Sequence, residues 1–156
     1  MEYSARHNVI DYSVELEKSM NIFLSGILQI DFTKTKVGRQ PLEYLSFNQK
    51  ISMIKDLEII DAEQKAKLIL FSEIRNAFAH NADIKRFEDY FLTRQEQDKT
   101  LKKFYSSDPK AVISDKIYFL YFNRLYQDVM RTTLQFAVHK SKFEIVDPLK
   151  FLDKKN

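Results

Sequence analysis

The sequence of 156 residues contains no cysteine and has only two glycines and three prolines. The absence of cysteine excludes a disulfide framework, a thiolate zinc site and a cysteine nucleophile. Because glycine and proline supply most tight turns, their scarcity argues against a β-rich fold and favours a few long helices with few connections. The hydrophobic fraction of 44% is close to that of ordinary globular domains, so one core can form without a metal or disulfide.

Long apolar runs and a strong charge imbalance are also missing. The longest apolar stretches, around residues 22–30 and 117–122, are far shorter than the ~20 residues of a membrane-spanning helix. The polar, acidic N-terminal stretch does not resemble a secretory signal, so we expect a soluble, cytoplasmic protein that does not associate with membranes. The 25 basic and 22 acidic residues nearly balance, so any contact with nucleic acid must depend on a local basic patch.

Apolar residues at three- and four-residue spacing predict an amphipathic helix over about residues 4–31. Residues 32–45 contain a glycine and a proline and predict a loop. The loop is basic at Lys34, Lys36 and Arg39. We expect a solvated loop, with weak contact to a substrate phosphate as the alternative.

Two capping boxes predict the starts of the next helices. Ser46 with Gln49, and Asp61 with Gln64, have the spacing at which side chains bond the free amides of a first helical turn. The first helix is expected to end near residue 58 and the second near residue 80. Asn81 is then a plausible left-handed stop residue.

The C-terminal half has a less regular pattern. Residues 84–105 are apolar at both ends and polar in the middle, which predicts two helical pieces or one broken helix. Asp108 followed by Pro109 is typical of a helix start. An apolar stripe from residue 117 to residue 136 then predicts one long helix that ends near residue 139.

These segments predict a protein of the all-α class. With four or five helices and short connections, the expected architecture is an antiparallel bundle. We expect residues 1–140 to form a single domain and residues 141–156 an irregular tail.

Residues 74–80, Ile-Arg-Asn-Ala-Phe-Ala-His, contain the one group of side chains suited to catalysis. At about 100° per residue, a helix places the apolar members on the core face and Arg75, Asn76 and His80 on the remaining arc. The small Ser72 on the same arc leaves space for a substrate. By spacing alone, the same residues are also typical of an ordinary solvated helix face.

This trio suits RNA cleavage by the neighbouring 2′-hydroxyl. Histidine, with an ordinary pKa of about 6.5, exchanges protons near neutrality. Arginine neutralises the charge that builds on the phosphorane, and asparagine positions a phosphate oxygen or the imidazole. No carboxylate or histidine cluster resembles a metal site, so we expect neither metal nor cofactor.

In-line cleavage needs both a base and an acid, whereas this patch offers one histidine. The other two, His7 and His139, lie near opposite ends of the chain. A two-fold dimer would bring two copies of the patch around one phosphate, so we expect a homodimer with a composite site.

Residues 74–80 resemble the signature of the HEPN superfamily: an arginine, four to six residues, then a histidine, with a polar residue after the arginine. Together with residues 45–54, Leu-Ser-Phe-Asn-Gln-Lys-Ile-Ser-Met-Ile, and 57–61, Leu-Glu-Ile-Ile-Asp, the motif resembles the mannitol-repressor (MltR-like) branch more closely. The resemblance covers residues 10–90 well and the final helix loosely.

The resemblance implies a HEPN-like helical bundle, usually dimeric, and a metal-independent endoribonuclease used as a toxin or in phage defence. Arg75, Asn76 and His80 would be its catalytic set, with RNA as substrate and an antitoxin or other protein as regulator. The resemblance also implies an alternative, because some members are non-enzymatic dimerisation or interaction modules. The named member of the MltR-like branch is described as a transcriptional repressor, yet this sequence has no helix-turn-helix signature. A nucleotide-binding module that uses Arg75 and His80 is a third hypothesis.

Overall fold

The computed structural model describes residues 4–28, 45–58 and 60–143. In these ranges the chain forms six helices and no strand, which confirms the all-α class. The helices are α1 (Ala5–Leu28), α2 (Phe47–Asp56), α3 (Ala62–His80), α4 (Phe87–Leu92), α5 (Gln95–Tyr105) and α6 (Asp115–Phe143). The number exceeds the predicted four or five because residues 84–105 form two separate helices.

Both predicted capping boxes are confirmed. At the start of α2, the amide of Gln49 donates to Ser46 Oγ at 3.2 Å, and the amide of Ser46 donates to Gln49 Oε1 at 2.8 Å. Asp61 and Gln64 make the same reciprocal pair at the start of α3, at 2.8 and 2.9 Å. Each pair satisfies amides that have no partner within the helix, so it fixes where the helix begins.

The end of α3 differs from the prediction for Asn81. Its backbone is extended, with φ −117° and ψ 108°, rather than left-handed. The Arg6 guanidinium, from α1, donates to the carbonyl of Asn81 and to that of Ile84. These carbonyls lie beyond the last turn of α3, whose Ala77 carbonyl accepts from the Asn81 amide at 3.0 Å without a left-handed residue.

The prediction that the last helix begins at Asp108 and Pro109 was wrong. Asp108 Oδ1 instead accepts a hydrogen bond from the amide of Lys110 at 2.9 Å, which closes a turn that does not continue as a helix. The helix begins at Asp115, whose amide donates to Glu88 Oε1 at 2.8 Å while its own Oδ1 accepts from the Glu88 amide at 3.1 Å.

The structure describes only part of the two segments that were predicted to be irregular, the C-terminal tail and the basic loop. Helix α6 continues to residue 143, so residues 141–143 belong to the helix rather than to the predicted irregular tail. The rest of that tail, residues 144–156, lies outside the described residues, as does the predicted basic loop up to residue 44. None of the helices in the described part of the chain is long and apolar enough to cross a membrane.

Helices α1 and α6 form the most extensive helix pair, and they run parallel. Tyr12 stacks on Tyr126 with ring centroids 4.2 Å apart, and further along both helices the hydroxyl groups of Ser19 and Thr133 are 2.5 Å apart. Contact positions advance in the same direction along both helices, so α1 and α6 are parallel. The predicted bundle, in contrast, was antiparallel throughout.

Helix α3 packs against both members of this pair and runs opposite to them. Phe71 stacks on Phe122 of α6 with centroids 5.4 Å apart, and the earlier Lys67 bonds the later Asp128. Helix α2 contributes to the same core, with the Phe47 ring centroid 6.3 Å from that of Phe71, so the polar face of α3 begins beyond the contact with α2.

A polar network links α3, α5 and α6. Asp128 Oδ2 accepts from Lys67 Nζ at 2.7 Å and from the Tyr105 hydroxyl at 2.9 Å. Burial favours the neutral form of the Asp128 carboxyl, but these two bonds and the Lys67 charge outweigh it and hold the pKa of Asp128 below its usual value.

This network predicts acid sensitivity. A carboxyl whose pKa is lowered by folding stabilises the protein above its unfolded pKa, about 3.9, and that contribution is lost as the pH falls through the folded pKa. We expect Asp128→Asn to lower the free energy of unfolding at pH 7 by about 1–2 kcal/mol and to flatten its decline below pH 4. Urea unfolding at pH 7, 4 and 2.5 measures both effects; parallel pH profiles for the two proteins would contradict them.

Candidate functional site

The predicted site lies where the polar face of α3 meets α2. Ile74 and Phe78 are fully buried, as the helical periodicity predicted. Arg75 and Asn76 are half-buried, and His80, the last residue of the helix, is exposed. The capping box at Asp61 and the packing of the apolar face therefore set both the start and the rotation of α3, and with them the direction in which these polar side chains point.

Helix α2 contributes a residue that the sequence analysis missed. Asn48, in the first turn of α2, accepts hydrogen bonds through Oδ1 from the Ser72 hydroxyl at 2.7 Å and from Asn76 Nδ2 at 3.2 Å. The capping box placed Asn48 at a helix start, but nothing in the local pattern indicated which face of α3 it would meet. Ser72, predicted to leave space for a substrate, is instead 9% exposed and bonded to Asn48.

Arg75 is held on two sides. Its Nη1 donates to Asn76 Oδ1 at 3.1 Å, and its Cζ lies 5.2 Å from the centroid of the Phe47 ring. The Nε atom is buried without a hydrogen-bond partner, and within the described ranges no carboxylate forms an ion pair with the guanidinium. A fixed guanidinium whose charge is not neutralised by a neighbouring carboxylate attracts anions.

Arg75, Asn76, Asn48 and Ser72 thus form one continuous set of hydrogen bonds, which we call the asparagine network. It joins α2 to α3 through side chains alone. The structure therefore brings together three of the residues that the sequence predicted, Ser72, Arg75 and Asn76, and adds Asn48 between them.

His80 stands apart from the asparagine network. It is four residues beyond Asn76 on the same side of α3, a rise of about 6 Å along the helix axis. It makes no hydrogen bond or ion pair with any described residue, including Arg75 and Asn76. The imidazole is consequently free to rotate and to meet a ligand that spans one helical turn from the network.

Arg6 is a second cation near the end of α3 that the sequence analysis missed. Its bonds to the carbonyls of Asn81 and Ile84 place its guanidinium beside the residue that follows His80. A contact between residues 75 positions apart leaves no local signal in the sequence. The positive charge of Arg75 is therefore not the only one at this end of the helix.

The other histidines and the predicted basic substrate contacts do not belong to the asparagine network. His7 is exposed on α1 and pairs with Asp11 at 3.0 Å, and the side chain of His139 lies outside the described residues. Lys34, Lys36 and Arg39, predicted as weak substrate contacts, also lie outside them. In residues 4–28, 45–58 and 60–143, no three histidine or acidic side chains are grouped so that they could hold a metal ion.

The chain matches no protein-family model, no curated protein and no solved structure. The relation to the HEPN superfamily therefore stays a prediction from the motif and the helices that contain it.

Proposed function

We propose that this protein is a metal-independent endoribonuclease of the HEPN type that uses Arg75, Asn76 and His80. The main supporting observation is the geometry of Arg75: a half-buried guanidinium, fixed by Asn76 and Phe47, has no carboxylate partner among the described residues. The exposed imidazole of His80 lies one helical turn from Asn76, which holds the Arg75 guanidinium. A phosphate bound at Arg75 would thus lie within reach of a group that exchanges protons near neutral pH.

In the proposed reaction, the 2′-hydroxyl oxygen of one nucleotide attacks the adjacent phosphorus. One imidazole removes the hydroxyl proton, the O2′–P bond forms, and the P–O5′ bond breaks as a second acid protonates the departing O5′. The products are a 2′,3′-cyclic phosphate and a 5′-hydroxyl. Arg75 stabilises the charge on the phosphorane oxygens, and Asn76 orients one of them.

The reaction needs a second proton-transfer group, and this need is the reason to propose a homodimer. With one imidazole per chain at this site, a second His80 from another copy completes the pair of proton-transfer groups. We expect cleavage per chain to fall when the protein is diluted below its dimer dissociation constant, measured alongside sedimentation. Undiminished cleavage by a monomer would contradict the composite site.

Incubation with mixed RNA in excess chelator tests the proposal. Cleavage that resists the chelator and disappears in His80→Ala supports the endoribonuclease, whereas no cleavage of any RNA favours the alternative, a non-enzymatic MltR-like dimerisation or interaction module. A role as a toxin or phage-defence effector predicts that expression slows growth and that Arg75→Ala relieves the effect. Circular dichroism of each variant shows whether the helices are intact.

A further inference from the structure

We infer that Asn48 is a phosphate-binding residue of this site, and that the site recognises the sugar–phosphate backbone of RNA rather than its bases. The inference rests on the proposed function, because RNA is the substrate considered. The inference extends the proposed function by adding a residue from α2 and by defining which part of the RNA the site contacts.

The hydrogen bonds of Asn48 determine which end of its carboxamide faces outward. Its oxygen accepts from both Ser72 and Asn76, so both lone pairs are used within the protein. Its Nδ2 carries two N–H donors and bonds no described residue, and the side chain is exposed. The amide nitrogen of Asn48 is therefore available to an acceptor from solvent or ligand.

The neighbouring groups have the same polarity. The Asn76 oxygen is engaged by Arg75 Nη1, and Arg75 itself has only donors. The Ser72 hydroxyl keeps acceptor capacity, but the residue is 9% exposed and its proton is directed to Asn48. The asparagine network thus uses its carboxamide oxygens internally and presents N–H groups outward, beside a positive charge. Phosphoryl oxygens, which are negative and only accept, complement this surface.

The same outward N–H groups argue against recognition of particular bases by this site. The bases differ in their arrangement of donors and acceptors, and donors alone read only part of it, because every base carries at least one acceptor. A surface of donors offers nothing to the exocyclic amino groups of adenine, cytosine and guanine. Contacts to phosphate position a nucleic acid without specifying its sequence. We therefore expect similar affinity for single strands of different sequence.

Asn48→Asp is the sharpest test. The new carboxylate retains an oxygen that accepts from Ser72 and Asn76, but it replaces the outward N–H groups with a second, negatively charged oxygen. Gln49→Glu is the matched control: it adds the same charge one residue away and keeps the Oε1 that accepts from the Ser46 amide. Fluorescence anisotropy would measure binding to fully 2′-O-methylated single strands of A, C and U, which lack the attacking hydroxyl.

We expect wild type to bind the three strands with Kd values within about threefold of one another, because phosphate contacts carry no sequence information. Asn48→Asp should weaken binding to all three by about tenfold or more, and Gln49→Glu by less than about twofold. Equal effects of the two substitutions, wild-type affinity in Asn48→Asp, a loss confined to one base, or no binding by wild type would each overturn the inference.

The outcomes separate this inference from the proposed reaction. If wild type binds the methylated strands and Asn48→Asp does not, yet unmodified RNA stays intact, the reaction is wrong and phosphate binding stands. If wild type cleaves RNA and Asn48→Asp binds and cleaves equally well, the inference alone fails. If Asn48→Asp does not fold, titration of the wild type with inorganic phosphate decides: the Asn48 side-chain amide resonances should shift in NMR spectra, and unmoved resonances would overturn the inference.

Discussion

Replacement of His80 with alanine is expected to lower the single-turnover rate of RNA cleavage by about 10²–10⁴-fold, the usual contribution of a proton-transfer group. The imidazole is exposed and bonds no described residue, so its removal should leave the thermal midpoint almost unchanged. The combination of a large kinetic loss and an intact fold is what separates a catalytic side chain from a structural one. Rates should be measured with excess enzyme, so that product release does not mask the chemical step.

His7→Ala is the matched control for this experiment. His7 is also exposed and helical, and it pairs with Asp11 on its own helix. We expect its cleavage rate to equal that of wild type. Retention of full activity in His80→Ala, or equal losses in the two variants, would contradict the role assigned to His80.

The largest expected effect on stability concerns the ion pair between Glu17 and Lys50. Lys50 Nζ bonds Glu17 Oε1, and the Lys50 side chain is 1% exposed whereas that of Glu17 is 35% exposed. Glu17→Leu would leave a buried ammonium without its counter-charge. We expect it to lower the free energy of unfolding by about 3 kcal/mol and the Tm by about 6–12 °C.

Removal of the other partner, Lys50, should lower the free energy of unfolding much less. Lys50→Met fills the same apolar space between α1 and α2 and leaves a carboxylate that water can reach, so we expect a loss of about 1 kcal/mol or less. Thermal and urea unfolding of the two variants measure the asymmetry. Equal losses would mean that the attraction between the two charges, rather than the desolvation of the lysine, governs this contact.

Local signals in the sequence predicted much of the fold. The two capping boxes set the starts of α2 and α3 because both partners of each box are three residues apart. The 3.6-residue period identified the buried face of α3, and thereby the outward positions of Arg75 and Asn76.

Features that depend on distant parts of the chain were not predictable in this way. Asn48 and Arg6 reach α3 from other helices, and no local pattern specifies those contacts. The parallel direction of α1 and α6 follows from how the four intervening helices return the chain, which periodicity does not encode. At Asp108, a side-chain bond to the next turn competes with helix initiation, and the signals for the two are the same residue types.

The most direct measurement of the proposed chemistry uses an RNA with one strongly cleaved linkage and a copy that carries a single 2′-O-methyl group at the nucleotide 5′ to it. Mass spectrometry of products formed in excess chelator identifies the new ends. Attack by the 2′-hydroxyl predicts a 2′,3′-cyclic phosphate and a 5′-hydroxyl from the unmodified RNA, and no cleavage at the methylated position. Cleavage that persists at that position, or ends that carry a 3′-hydroxyl and a 5′-phosphate, would contradict the mechanism.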